Sequence, residues 1–282
     1  MNRRAFLSAV GAAAILPSLP EAWSLKPEAW TGVTDARHSD RIKLGVASYS
    51  LRKFNLDQAI AMCKQMGARH ITLKDVHLPR TESAEAMQAA RQKITDAGMT
   101  LMGGGTISMK NDEAQVRKEF EYARRAGFPL MVAAPDPAAL DIIERMIGDY
   151  NIAVAIHNHG PEDKHFPAPQ DALKLVKNRD KRFGLCIDVG HTLRAGVDPV
   201  QAVAEAGSRV LDLHLKDLRS QAEKNSQTEV GKGVIDFPGL FRTLLKVGFT
   251  GHAALEYEIN ADDPLVGMRE SLSYLRGVLD AI

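Results

Sequence analysis

Cysteine is scarce in this chain. Its 282 residues include two, Cys63 in a helical pattern and Cys186 in an apolar strand pattern. Two thiols so placed do not make a disulfide framework and read as small buried apolar residues. An excess of one charge is also lacking, because 36 basic side chains face 35 acidic ones. That balance argues against a nucleic acid held on a broad basic face, though not against a local basic patch. No apolar run approaches the ~20 residues that cross a bilayer, so no stable membrane anchor is expected. The turn after the first apolar run, "SYSLRKFN", has none of the glycines of a dinucleotide-binding first turn. There is no internal repeat or low-complexity tract in the body of the chain. What is present is 45% hydrophobic residues, enough to bury a large core. The length suits one domain of α/β-barrel size.

The first 40 residues read as an export signal and linker. "MNRRAFLSAVGAAAILP" sets Arg3 and Arg4 before a short Ala- and Gly-rich apolar stretch that ends at Pro17. "RRAFL" resembles the twin-arginine export signal. No clean cleavage site follows, so the cut is expected between Pro17 and Ser39. The expected localisation is periplasmic by the twin-arginine route, which carries folded proteins and would allow a metal to be loaded before export.

From Arg41 to Ile282, short apolar runs alternate with amphipathic stretches. The runs are "IKLGVAS", "HITLKD", "MTLMGGG", "PLMVAA", "IAVAIHNH", "FGLCIDVGH", "VLDLHLKD" and "HAALEYE". The stretches between them carry helical spacing, Ser or Asp at the start and Gly at the end. Eight strands each followed by a helix predict a single (β/α)8 TIM barrel over residues 41–282.

Side-chain alternation then predicts what lines the barrel. If bulky apolar residues face the helices, the fifth run sends His157 and His159 inward. The sixth sends Cys186 and Asp188, the seventh Asp212, His214 and Lys216, and the eighth Ala254, Glu256 and Glu258. The second run sends Thr72 and Lys74 inward, and Leu211 is expected outward with Leu213 and Leu215. Any one inward histidine alone reads as a satisfied core residue, and a lone Asp188 as a helix cap. Together, His157, Asp188, His214 and Glu256 come from four consecutive strands to the C-terminal rim. Nitrogen and oxygen donors without cysteine suit one borderline divalent metal, manganese first, with cobalt, iron or zinc as alternatives. His70, His165 and His252 lack this support and read as structural.

The pieces "HNHG", "DVGH", "HLKD", "GKGVID" and "LEYE", in this order, resemble the xylose isomerase-like TIM barrels, a superfamily of sugar isomerases, sugar epimerases and endonuclease IV. The resemblance runs from about Arg41 to the C-terminus. It implies metal ligands at Asp188, His214 and Glu256, and substrate contacts from His191 and from the "GKGVID" loop with Lys232 and Asp236. One departure stands out. Where ketose epimerases of the family carry a fifth-strand glutamate, this chain has His157, which can still ligate a metal but puts a symmetric two-carboxylate epimerisation in doubt. Glu162 is near enough in sequence to swing in.

The implied activity is enolisation of a keto-sugar. His159 or Glu256 would remove the α-proton, and Lys74 or Lys216 would polarise an oxygen. Reprotonation makes an isomerase or epimerase; loss of a β-leaving group makes a lyase, and the reverse addition of water a hydratase. The histidine substitution and the export signal tilt the expectation toward a lyase or hydratase on a 3-keto-glycoside. The alternatives are an endonuclease IV-like phosphodiesterase and a non-catalytic sugar-binding barrel. The expected partner is a small sugar or keto-sugar and not nucleic acid; the sequence leaves the oligomeric state open.

Overall fold

Capping residues set the helices where the sequence places them. Asn55 accepts the N–H of Gln58, whose side chain accepts the N–H of Asn55, and this reciprocal pair starts α1 (Leu56–Gln65). Ser83 caps α2 (Ala84–Asp96). Asp112 caps α3 (Glu113–Ala126), which stops at Gly127 with φ of 70°. After α4 (Leu140–Tyr150) come α5 (Pro169–Val176), α6 (Val189–Arg194), α7 (Pro199–Ala206) and α8 (Phe237–Lys246); α5 and α7 open on proline, and α8 has Pro238 at its second position. The C-terminal α9 spans Leu265–Ala281. Among the described residues, no helix is long and apolar enough to cross a membrane.

The structure is a computed structural model that describes residues 42–282. The export and linker segment, residues 1–40, and the boundary at Arg41 lie outside the described residues. Eight parallel strands alternate with these helices and close on themselves: β1 (Lys43–Ala47), β2 (His70–Leu73), β3 (Thr100–Met109), β4 (Leu130–Pro135), β5 (Ala153–His157), β6 (Phe183–Asp188), β7 (Val210–Leu215) and β8 (His252–Leu255). β8 pairs with β1 through Lys43 opposite His252, which completes the expected (β/α)8 barrel. A two-residue ladder, Asp217–Leu218 against Gln227–Thr228, extends the rim after β7.

Two apolar clusters result. The large one gathers the outward strand residues, such as Val154, Ile156, Leu185, Leu213 and Leu215, with the helix faces. The small one, Val132, Ala155 and Cys186 with Leu130 and Leu211, fills the barrel interior. Leu211 is thus a correction to simple alternation, which sends it outward. The pairing of β6 with β7 slips between Leu185 and Cys186, so that Val210 and then Asp212 find partners. The extra residue turns Leu211 over Gly184. Both thiols are buried and unpaired.

Candidate active site at the barrel mouth

β5 to β8 deliver their inward side chains to one place. His157 Nε2 lies 2.9 Å from His214 Nδ1 and 3.5 Å from Asp188 Oδ2, and His214 Nδ1 lies 3.1 Å from Glu256 Oε2. One ligating atom from each of the four falls within 4.8 Å of the others, and all four residues are buried. Asp188 serves two ends at once. Its Oδ1 accepts the N–H of His191 and caps α6, as a carboxylate at a strand end ordinarily does. Its Oδ2, by contrast, faces the cluster without a directed hydrogen bond.

A resident cation shares this space. Lys216 Nζ is 2.9 Å from Asp188 Oδ2 and 2.9 Å from Glu256 Oε2, and it also pairs with Glu258. The charges fix one another's protonation. Burial alone would push Asp188 up, but Lys216, His191 and His157 hold it well below the usual carboxylate range. Burial opposes Glu256 in the same way, and His214 and Lys216 hold it down. Lys216 is held charged against burial by Asp188, Glu256 and Glu258. Burial would also lower His214, but the Glu256 carboxylate raises it to about 9. Burial drops His157 to about 3. His214 Nδ1–H therefore donates between Glu256 and the neutral His157.

A divalent ion fits these residues. At the 2.0–2.2 Å typical of nitrogen and oxygen ligands, neighbouring donor atoms of one ion stand roughly 3.0–3.5 Å apart. The His157–His214, His214–Glu256 and His157–Asp188 separations span that interval. Asp188 Oδ2, which has no directed hydrogen bond and is held by the ion pair with Lys216 at 2.9 Å, is the carboxylate atom turned toward them.

Above the four donors is a cavity of about 280 Å³, lined by Tyr49, Lys74, Gly105, Thr106, His157, His159, His191, Glu256 and Glu258. His159 is half-buried, with its ring 4.3 Å from that of His157. Its Nδ1 sits 3.2 Å from Asp163 Oδ2, close but off the hydrogen-bonding line. Burial, and then His191, lower its pKa, so it faces the cavity as a neutral imidazole. Asp163 itself is fixed by accepting the N–H groups of His165 and Phe166. Lys74 Nζ donates to Thr106 O at 2.7 Å.

Two residues read as substrate contacts stand elsewhere. Lys232 is exposed and pairs with Glu270 and Glu229, away from the cavity. Asp236 caps α8 by accepting the N–H of Gly239. The glycine loop folds onto the buried Asp217 carboxylate, which accepts the N–H groups of Gly231, Gly233 and Ile235. The loop's glycines serve that close approach and do not reach the cavity. Glu162 does not swing in either, because it is bound to Arg194 and Lys224. Conversely, Tyr49, Thr106 and Asp163 belong to the site without having been singled out. Tyr49 and Asp163 lie in connecting segments beyond strand alternation, and Thr106 follows a run of three glycines that gives no side-chain phase.

A family model for xylose isomerase-like TIM barrels matches residues 109–278. Over 133 residues the chain is 26% identical to the rhizopine catabolism protein MocC of Rhizobium meliloti, covering 42% of this chain and 40% of that one. It is 22% identical over 207 residues to an inosose dehydratase of Geobacillus thermodenitrificans, 67% of this chain and 66% of that one. To the L-ribulose-5-phosphate 3-epimerase UlaE of Escherichia coli it is 23% identical over 201 residues, 70% of this chain and 64% of that one. The chain therefore spans between 40 and 66% of the length of these curated relatives. Among solved structures, the 3-keto-D-glucoside 4-epimerase YcjR of E. coli superposes with a TM-score of 0.67 at 17% identity, covering 84% of this chain and 99% of that one. An L-ribulose 3-epimerase does so with a TM-score of 0.68 at 12% identity, covering 85% and 95%. At these identities the structural likeness is one of fold.

Proposed function

This chain belongs to the xylose isomerase-like TIM-barrel family, and from that premise we propose that it is a divalent-metal-dependent enzyme that enolises a keto-sugar. The observation that carries the reading is the convergence of His157, Asp188 and His214 from β5, β6 and β7 with Glu256, the residue after β8, below an open cavity. The dehydratase and epimerase relatives support the same class, since an inosose and a ribulose phosphate are both polyhydroxy ketones.

When bound by these four residues, a divalent ion, manganese first, would supply Lewis-acid stabilisation of charge developing on a sugar oxygen. The remaining work falls to the chain. His159 is the better-placed base. It is neutral, faces the cavity and has Asp163 beside its Nδ1 to receive developing positive charge. Glu256 is the weaker candidate, because its Oε2 already faces both His214 and Lys216. Lys74, anchored on Thr106 O, presents a cation to the opposite wall, where it can polarise a substrate oxygen or return a proton.

The outcome after proton removal follows from what the cavity lacks. His157 stands where symmetric epimerisation would use a fifth-strand carboxylate, and the two carboxylates that do line the cavity, Glu256 and Glu258, both lie just past β8 and both pair with Lys216, so none comes from β5 to face Glu256. That favours elimination over epimerisation. The α C–H breaks, its electron pair forms the carbon–carbon double bond, the C–O bond to the β-substituent breaks, and the departing oxygen takes a proton. We further infer export to the periplasm from Arg3 and Arg4, testable by cell fractionation with and without the Arg3→Lys, Arg4→Lys pair.

The decisive assay is solvent exchange. Incubated with 3-keto-glucose in deuterated buffer, the manganese-loaded enzyme is expected to wash deuterium into the α-position, and chelation is expected to stop it. A loaded enzyme without α-exchange, or exchange indifferent to chelator, would sink the proposal.

A further inference from the structure

A second compartment opens beside the first. It has a volume of about 310 Å³ and shares His191 and Glu258 with the cavity above the four donors, whose own volume is about 280 Å³. Ligand pockets for drug-sized molecules run from ~300 to ~1,000 Å³. Each compartment alone is therefore at or below the small end of that range, and the pair together falls well inside it. One sugar ring suffices for the first, which leaves the second without an occupant if the substrate is a free monosaccharide.

The second compartment is built from well-tied parts. One wall is the short ladder after β7, with Leu218 and Gln227. The Gln227 amide donates to Glu256 O at 2.7 Å and its carbonyl accepts Glu258 N–H at 3.0 Å, which ties that wall to the exit of β8. The buried Asp217 carboxylate accepts Leu218 N–H at 2.9 Å and fixes the base of the ladder. The floor is Gly190 lying on the Lys216 stem, where an added Cβ would come within 2.5 Å of Lys216 Cγ. Glu162 from the β5 loop pairs with two of its lining residues, Arg194 of α6 and Lys224 of the β7 loop.

Its chemistry suits a neutral ring. Gly190, Leu218, Ile259 and the Lys216 stem are apolar, whereas Asn225 and Gln227 offer amides at the edge. A pyranose presents the same mixture, with C–H faces and a hydroxyl rim. The basic residues here already have carboxylate partners: Lys216 with Asp188, Glu256 and Glu258, and Arg194 and Lys224 with Glu162. A phosphate ester would need a cation not already committed in this way.

We propose that the substrate is a glycoside, with its keto ring over His157, Asp188, His214 and Glu256 and its attached group seated in the compartment between Gly190, Leu218, Gln227 and Ile259. This rests on the keto-sugar reading and narrows it to keto-sugars that carry a second neutral group. In the elimination derived above, that group is the one that leaves.

Calorimetric titration of the manganese-loaded full chain tests this, with 3-keto-glucose, its phenyl α- and β-glycosides and its 6-phosphate as probes. At least one glycoside is expected to bind roughly tenfold or more tightly than 3-keto-glucose. Ile259→Trp, which fills the compartment, is expected to erase that gain while leaving the Kd for 3-keto-glucose within about twofold. Asn225→Trp, on an exposed loop position, repeats the test should Ile259→Trp fail to fold. Equal affinity for the free sugar and both glycosides overturns the proposal and leaves the keto-sugar reading intact. Tighter binding of the 6-phosphate, lost in Arg194→Gln, overturns it in favour of a phosphate site. If manganese binds but no keto-sugar does, the functional reading fails and this inference fails with it.

Discussion

The inward residues of β6 and β7 form two tiers, and the tiers treat the same residue types in opposite ways. At the rim, Asp188 and His214 are charged and stand with Glu256 and Lys216. One step down the same strands, Cys186 and Asp212 meet His252 from β8, and among the described residues neither pairs with a lysine or arginine. Asp212 Oδ1 accepts from Cys186 Sγ at 3.6 Å, and its other oxygen is 3.8 Å from His252 Nδ1. Burial raises Asp212 to about 7, raises the Cys186 thiol well above its ordinary value, and keeps His252 neutral well below its own. His252 Nδ1 bonds Thr72 Oγ1 at 2.9 Å, and the ring fits because Gly45 has no Cβ, which would come within 2.5 Å of its Nε2. The lesson is that burial alone neutralises a carboxyl, whereas burial beside Lys216 keeps it ionised. The rim is thus a place for charge, and the tier beneath it is a polar floor whose carboxyl is held neutral up to about pH 7.

The largest expected effect comes from making the rim resemble the floor. Lys216→Met leaves Asp188 and Glu256 as buried carboxylates without their lysine. In chelator it is expected to cost about 3–5 kcal/mol in denaturant melts, largely recovered with saturating manganese. A variant as stable as the parent in chelator would break the distinction between the tiers.

Next is the floor itself. The folded pKa of Asp212 lies above its unfolded value of 3.8, so its contribution is fully present below pH 3.8 and disappears as pH rises through about 7. The limiting loss is roughly 4 kcal/mol. Asp212→Asn is therefore expected to match the parent near pH 4 and to be more stable at pH 8. Parallel stability–pH curves for the two proteins would show that Asp212 ionises freely.

A third effect concerns the proton at the rim. His214 is raised to about 9, and an ion taking its Nδ1 must displace that proton. Manganese affinity is expected to climb about tenfold from pH 7 to pH 8; a flat profile would contradict a protonated His214. The smallest effect is that of Cys186→Ala, expected to cost about 1 kcal/mol without altering manganese affinity, since the thiol, although within 4.8 Å of the His157 and His214 nitrogens, donates to Asp212.

Much of this was readable in advance, for reasons that name its limits. Strand alternation phased His157, Asp188, His214 and Glu256 correctly because each stands beside large apolar neighbours at the end of its strand, Ile156, Ile187, Leu213 with Leu215, and Leu255 with Tyr257. It failed at Leu211, where a register slip adds a residue that local pattern does not reveal. Motif resemblance drew Lys232 and Asp236 toward the substrate, but the carboxylate of Asp217 holds their loop elsewhere, and a long-range contact of that kind leaves no mark in spacing. Asp163 and Tyr49 were passed over because they sit in connecting segments, where side-chain direction depends on the loop's own hydrogen bonds.

Calorimetric titration of the apo chain with manganese, for the parent and for Asp188→Asn, tests the central claim most directly. One ion per chain in the parent, lost in the variant while its circular dichroism is unchanged, is the predicted result. A parent that binds no divalent ion, or a variant that binds it equally well, would contradict the account.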